Sequence, residues 1–201
     1  MIKAILCAFA IVLSLQAQAL ECRSLFSRGR IKEVVGRGFE GVVYRNAVTG
    51  RATKVFDHRI SFVDTLKLQE LLSEILKDAG FKVPEVYSIN LKKMSIEREF
   101  IEGDPFALVE REMSSRLDRR DDWPLIANKY EAIYNRVMRR LEDDKRFEFI
   151  PQRPSNSNIP IIGGFLIYKD QEYHVHIHEY NMLISFDQKT NSPIFSVIDF
   201  R

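Results

Sequence analysis

The chain has almost no cysteine: Cys7 and Cys22 are the only two. Cys7 sits in an N-terminal apolar run, and loss of that run would leave Cys22 alone. A disulfide framework is thereby excluded, although an exported chain could otherwise form one. Charge of one sign is also scarce, since 30 Lys and Arg face 28 Asp and Glu for a net +2. Such a balance gives no support to polyanion binding, and no nucleic-acid partner is expected. Internal repeats and low-complexity segments are missing as well. The apolar run 4–15 is too short to cross a bilayer comfortably, which takes about 20 residues. What remains is ordinary globular composition, with 45% hydrophobic and 29% charged residues among 201. That suffices for a core in one domain, or in one domain with two lobes.

The first residues are expected to stand outside the fold. Lys3 precedes the apolar run, and Ala17-Gln18-Ala19 supplies a small-x-small cleavage site. This three-part pattern is that of a secretory signal peptide, residues 1–19, cleaved after Ala19. The alternative is an uncleaved membrane anchor. Glu21 before Cys22 excludes a lipoprotein. The expectation is a secreted or periplasmic protein without stable membrane insertion after cleavage. A flexible segment 20–30 then leads into the folded domain.

The chain is organised around residues 35–56, VGRGFEGVVYRNAVTGRATKVF. Gly36, Gly38 and Gly41 form a G-x-G-x-x-G run, and Ala52-Thr53-Lys54 follows on the next apolar stretch. Both flanks are rich in Val, Phe and Tyr, with turn residues between them, so a β-hairpin with a glycine-rich first turn is predicted. A dinucleotide-binding loop would need a helix directly after the glycines. Val42-Val43-Tyr44 stand there instead and favour a strand. Glycines let backbone N–H groups approach a phosphate closely, and a lysine on the following strand can reach it.

Farther on, residues 58–63 read as a connection. Phe62, Leu66, Leu68, Leu71, Leu72, Ile75 and Leu76 recur at helical intervals up to Gly80, a suitable C-terminal residue. Glu70 and Glu74 share one face of this helix. Residues 85–89 and 94–101 read as strands, and 104–116 as a helix. Asp121-Asp122-Trp123-Pro124 reads as a helix start. Ile126, Tyr130, Ile133, Tyr134, Val137, Met138 and Leu141 continue it as an apolar stripe. Residues 151–160 form a turn-rich loop, and 161–168 resume as strand or buried segment. The last third carries YHVHIHEYNMLI (173–184), a turn at 187–193, and IFSVIDFR (194–201).

The order G-x-G-x-x-G-x-V, A-x-K, then N-M-L-I and D-F resembles the protein-kinase-like superfamily. The likeness spans residues 31–201 and is greatest to its minimal forms, the very small kinase-like effectors that some bacteria deliver into host cells. The interval from the first helix to Val83-Pro84-Glu85-Val86 is also similar to that in aminoglycoside-type phosphotransferases. The resemblance implies an α+β fold of two lobes. These are a small antiparallel sheet lobe (31–103) and a reduced helical lobe (104–201) whose β-hairpin carries metal-binding residues. It implies ATP held by Gly36, Gly38, Gly41, Val43, Ala52, Lys54, Glu99 and Ile101, the last two through backbone groups between the lobes. Glu70 would hold Lys54, with Glu74 as runner-up. Asn181 and Asp199 would hold Mg²⁺.

Two departures stand out. Counted back from Asn181, the family's histidine position holds His174, but its catalytic-aspartate position holds His176. Arg201 stands where the family has glycine, and no activation segment follows it in this sequence. His176 is open to three readings. It is a general base, since imidazole accepts a proton near neutrality. It is a loss-of-function change in a nucleotide-binding pseudokinase, a binding module. Or it joins His174 and His178 in a metal site, because the three alternate along a strand. The resulting expectation is phosphoryl transfer from ATP to a hydroxyl, of a protein substrate in a target cell, with His176, Lys54 and Asp199 catalytic.

Overall fold

The computed structural model describes residues 32–115, 123–152 and 160–200. The expected signal peptide and the segment 20–30 lie outside the described residues, as do Ile31, Asp121, Asp122 and Arg201. Among the described residues, no helix is long and apolar enough to cross a membrane.

Alternation builds the first sheet. Along β3 (Arg51–Phe56), half-buried Arg51, Thr53 and Val55 alternate with buried Ala52, Lys54 and Phe56, the period of a strand with one face on a core. It joins β1 (Lys32–Gly38), β2 (Gly41–Asn46), β4 (Val86–Asn90) and β5 (Ser95–Glu99) in an antiparallel sheet of order β1-β2-β3-β5-β4. The glycine-rich hairpin is therefore present, with Phe39 and Glu40 at its turn. Gly41 has φ 151°, and a Cβ there would lie 2.0 Å from the Val55 carbonyl oxygen. Only glycine fits that contact.

Helix α1 (Arg59–Ala79) lies against this sheet. It begins at Arg59, within the span expected as a connection. His58, the extended residue before it, makes no side-chain cap, so the usual sequence sign of a helix start is missing. At the other end Gly80, with φ 110°, donates its N–H to the Leu76 and Lys77 carbonyls, a left-handed cap. The helix serves two apolar clusters. Phe62 packs with Phe56 and Ile96, with Leu66 against them. Leu68, Leu71, Leu72, Ile75, Leu76 and Ala79 belong to the main core. Burial of each large side chain contributes about 1.5–3 kcal/mol.

The second half follows β6 (Asp104–Pro105) and α2 (Phe106–Ser115). Helix α3 (Trp123–Asp143) buries Ile126, Tyr130, Ile133, Val137 and Leu141, as its stripe predicts. The expectation of a chiefly helical second half is corrected here, because two three-stranded sheets share the space. One is β7 (Glu148–Pro151), β8 (Ile162–Tyr168) and β9 (Gln171–Ile177). The other has β10 (Met182–Phe186) between β11 (Pro193–Val197) and β6. Phe195 stacks edge-on against Phe106 and Tyr130, at 5.2 and 5.4 Å between centroids. The Tyr130 hydroxyl donates to the Pro160 carbonyl at 2.8 Å.

Two seams tie the halves together. Lys82 donates to the Phe195 carbonyl at 2.8 Å and accepts from the Val197 N–H at 2.9 Å. Strand β6 pairs with β10 through Leu183↔Pro105 and Ile184↔Asp104. The architecture is mixed α+β, with one five-stranded antiparallel sheet and helices that link it to the remaining strands.

Candidate functional site

Strand alternation turns Lys54 inward. Its residue is 4% exposed, a position an ammonium occupies only when paired. Its Nζ bonds to Glu40 Oε2 at 2.9 Å and to Asp199 Oδ2. Asp199 follows β11, and its Oδ1 accepts the Phe200 N–H at 3.0 Å. Phe200 itself is buried in the main core, which anchors the segment that carries the carboxylate. Lys54 and Asp199, both chosen from the sequence, thus meet across the whole described chain.

Glu70 does not join them. It bonds to Lys67 with both carboxylate oxygens at 2.9 Å, and its side chain is 65% exposed. The expected Glu70–Lys54 pair is corrected to Glu40–Lys54. Shared-face spacing relates Glu70 to Glu74 but does not say which face turns to the sheet. Phe62, Leu68 and Leu72 take the buried side, and both glutamates are left exposed. Glu40 is silent in the sequence, because a carboxylate inside the glycine turn carries no spacing signal of its own.

Beside this cluster lies a cleft of about 500 Å³. Val43 and Ala52 line it from the first sheet, and Leu183 and Ile198 from β10 and the segment after β11. Residues 100–103 belong to no strand and cross from β5 to β6 along it. Of the residues expected at a nucleotide, Gly36, Val43, Ala52, Glu99 and Ile101 line this cleft. A Cβ at Gly38 would meet nothing within 4 Å, and one at Gly36 only Val43 Cβ at 3.8 Å. The fold therefore demands glycine at Gly41 but not at Gly36 or Gly38.

Arg98, on β5 opposite Ala52, also lines the cleft. It is 6% exposed. Burial pushes its guanidinium down from the ordinary arginine value, while the charge of Asp199 opposes that shift. Nothing in the sequence marks it, since an arginine within a charged strand looks like a solvated residue.

The histidine segment is tied to the residue that follows Asp199. On β9, Tyr173, Val175 and Ile177 face the core, while His174 and His176 face away from it. The rings of His176 and His178 stand 4.8 Å apart, those of His174 and His176 5.6 Å. Burial, then the neighbouring His178, hold His176 below the usual imidazole value, with Glu179 acting against them. The His176 N–H donates to the Phe200 carbonyl at 3.1 Å, and its carbonyl accepts from Asn181 Nδ2 at 3.0 Å. His176, Asn181 and the Asp199–Phe200 segment are thus one hydrogen-bonded unit.

The donor set suits a hard cation better than a transition metal. Asn181 and Asp199 offer oxygen ligands, and the bond from Asn181 Nδ2 distinguishes the two ends of its amide. A carboxylate and an amide fit Mg²⁺ when phosphate oxygens complete the shell. Among the described residues, no group of three or more His, Cys, Asp or Glu side chains converges as ligands. The three histidines follow one another with tilted rings, an arrangement that does not by itself favour the metal reading. Compared with known proteins, the chain matches no protein-family model and no curated protein.

Proposed function

We propose that the protein is a minimal, two-lobed kinase-like phosphotransferase, exported by residues 1–19, that moves the terminal phosphoryl group of a nucleoside triphosphate to a hydroxyl. The observation that carries this reading is the ion pair of buried Lys54 with half-buried Asp199, beside a mostly apolar cleft and beneath the glycine strand. The resemblance implies ATP as donor and Mg²⁺ as its counter-ion.

On this reading the base lies between Val43 and Ala52 on one side and Leu183 and Ile198 on the other. Its edge runs along the backbone of residues 99–101. Lys54 leaves Glu40 and pairs with the phosphates, and Asp199 and Asn181 would hold Mg²⁺, which would supply neutralisation of phosphate charge. His176, kept neutral by its surroundings, accepts the proton of the attacking hydroxyl. The target is a protein in another cell or compartment that supplies the nucleotide.

A second reading rests on His176 itself. An imidazole at the aspartate position, tied through its backbone to Asn181 and Phe200, also suits a module that holds nucleotide without transfer. Purified protein with γ-labelled nucleotide and Mg²⁺ tests both. Label transfer or hydrolysis in wild type, abolished in Lys54→Met, supports the phosphotransferase. Binding without either supports the module. Unchanged transfer by Lys54→Met overturns the site.

A further inference from the structure

Arg98 has no place in the scheme above. Its side chain is almost wholly buried and lines the cleft. Among the described residues it makes no hydrogen bond or ion pair within the usual limits, and its nearest recorded opposite charge is Asp199. A guanidinium carries five N–H donors and no acceptor. Its nitrogens are not among the buried side-chain atoms without a partner in the described residues; they keep access to the cleft that Arg98 lines, where a ligand can offer acceptors.

The position narrows what that ligand presents. Arg98 directly precedes residues 99–101, and in register it stands opposite Ala52, one of the apolar walls. The phosphate-facing lysine is farther along, since Lys54 pairs with Ile96. A flat base gripped by Val43, Ala52, Leu183 and Ile198 therefore turns toward Arg98 the part of its edge beyond the 99–101 backbone. In adenine that part includes the N6 amino group, a donor facing donors. In a 6-oxopurine it is O6 with N7, two acceptors that match an arginine fork.

From this we infer that the cleft selects a 6-oxopurine nucleotide over an adenine nucleotide, and that Arg98 makes the distinction. The inference rests on the nucleotide reading of the cleft and changes the base it takes. A guanidinium stays charged in proteins, and the nearby Asp199 favours that charge. Glutamine at the same position would offer an amide N–H and a carbonyl oxygen side by side, the pairing that suits adenine.

The test is equilibrium binding of Mg-GTP, Mg-ITP, Mg-ATP and 7-deaza-GTP to the purified protein. GTP and ITP are expected to bind alike, since both carry O6 and N7. ATP is expected to bind about 10–100-fold more weakly, and 7-deaza-GTP to fall between, from the usual worth of a bidentate base contact. Arg98→Gln should reverse the GTP-to-ATP preference, and Arg98→Met should abolish it. The ligand series stands even if a variant fails to fold. Equal binding of GTP and ATP, or tighter ATP, overturns the inference and leaves the nucleotide site intact. A GTP preference that survives in folded Arg98→Met also overturns it. Binding of none of the four overturns the nucleotide site together with the inference.

Discussion

At the scale of single residues, the three glycines of the turn do different jobs, and substitution separates them. Gly41→Ala puts a Cβ against the Val55 carbonyl at a backbone angle unsuited to alanine, and should cost about 1–3 kcal/mol in denaturant unfolding. Gly38→Ala meets nothing and should leave stability unchanged while it weakens nucleotide binding. Equal loss of stability in both would show that the turn is wholly structural. His176 gives a second test. Because its imidazole titrates below the ordinary histidine value, the fall of transfer on acidification should come at a lower pH than an unperturbed imidazole would give. Transfer should fall only as the lowered pKa is crossed, where the base becomes protonated. His176→Ala should reduce the rate about 10²–10⁴-fold, and His176→Asp should retain substantial activity. A rate for His176→Ala equal to wild type at every pH removes His176 from the base role. Lys54 and Asp199 were legible from sequence because their motifs have fixed order. Glu40 and Arg98 were not, because each is defined by what it faces.

At the scale of elements, periodicity told most of the story. The α3 stripe, the β2–β3 hairpin and the β10–β11 hairpin each follow from apolar spacing and turn residues. Failures occurred where an element is short or its signal is missing. The two-residue β6 has no period to detect, and β7 ends on Pro151, which belonged to a stretch read as loop. Helix α1 was right in existence and late at its start. Its face was the harder question, since a helix with nonpolar residues on two sides can turn either toward a sheet. Here it turns both ways, with Phe62 on the sheet cluster and Leu68 to Ala79 in the main core. That shared position predicts one unfolding transition for the two halves. Far-ultraviolet circular dichroism and the fluorescence of Trp123, which packs on the main core, should give coincident denaturation curves. Two separated curves would show that the seams at Lys82 and β6 are weak.

At the scale of the molecule, the site is assembled from parts distant in the chain. Glu40 and Lys54 come from the first sheet, His176 and Asn181 from the second half, and Asp199 follows the last strand. No sequence window contains the arrangement, which explains why order was readable and geometry was not. Weakening the Glu40–Lys54 pair should ease phosphate access, since the ligand must displace that carboxylate. Glu40→Gln is therefore expected to bind nucleotide about 5–10-fold more tightly, the effect of removing roughly 1–1.5 kcal/mol of competing ion pair. Weaker binding would instead make Glu40 part of the nucleotide's own contact set. The Lys54–Asp199 bond itself spans 145 positions, and Phe195 and Phe200, on the segment that carries Asp199, belong to the main core. Contacts of that separation close after most of the chain entropy has been lost, which slows folding. Refolding followed by Trp123 fluorescence should accordingly take milliseconds to seconds, and nucleotide-binding competence should appear with the slowest phase. On the proposed function, chemistry should come only at the end of folding, with a newly made molecule silent until Asp199 has found Lys54.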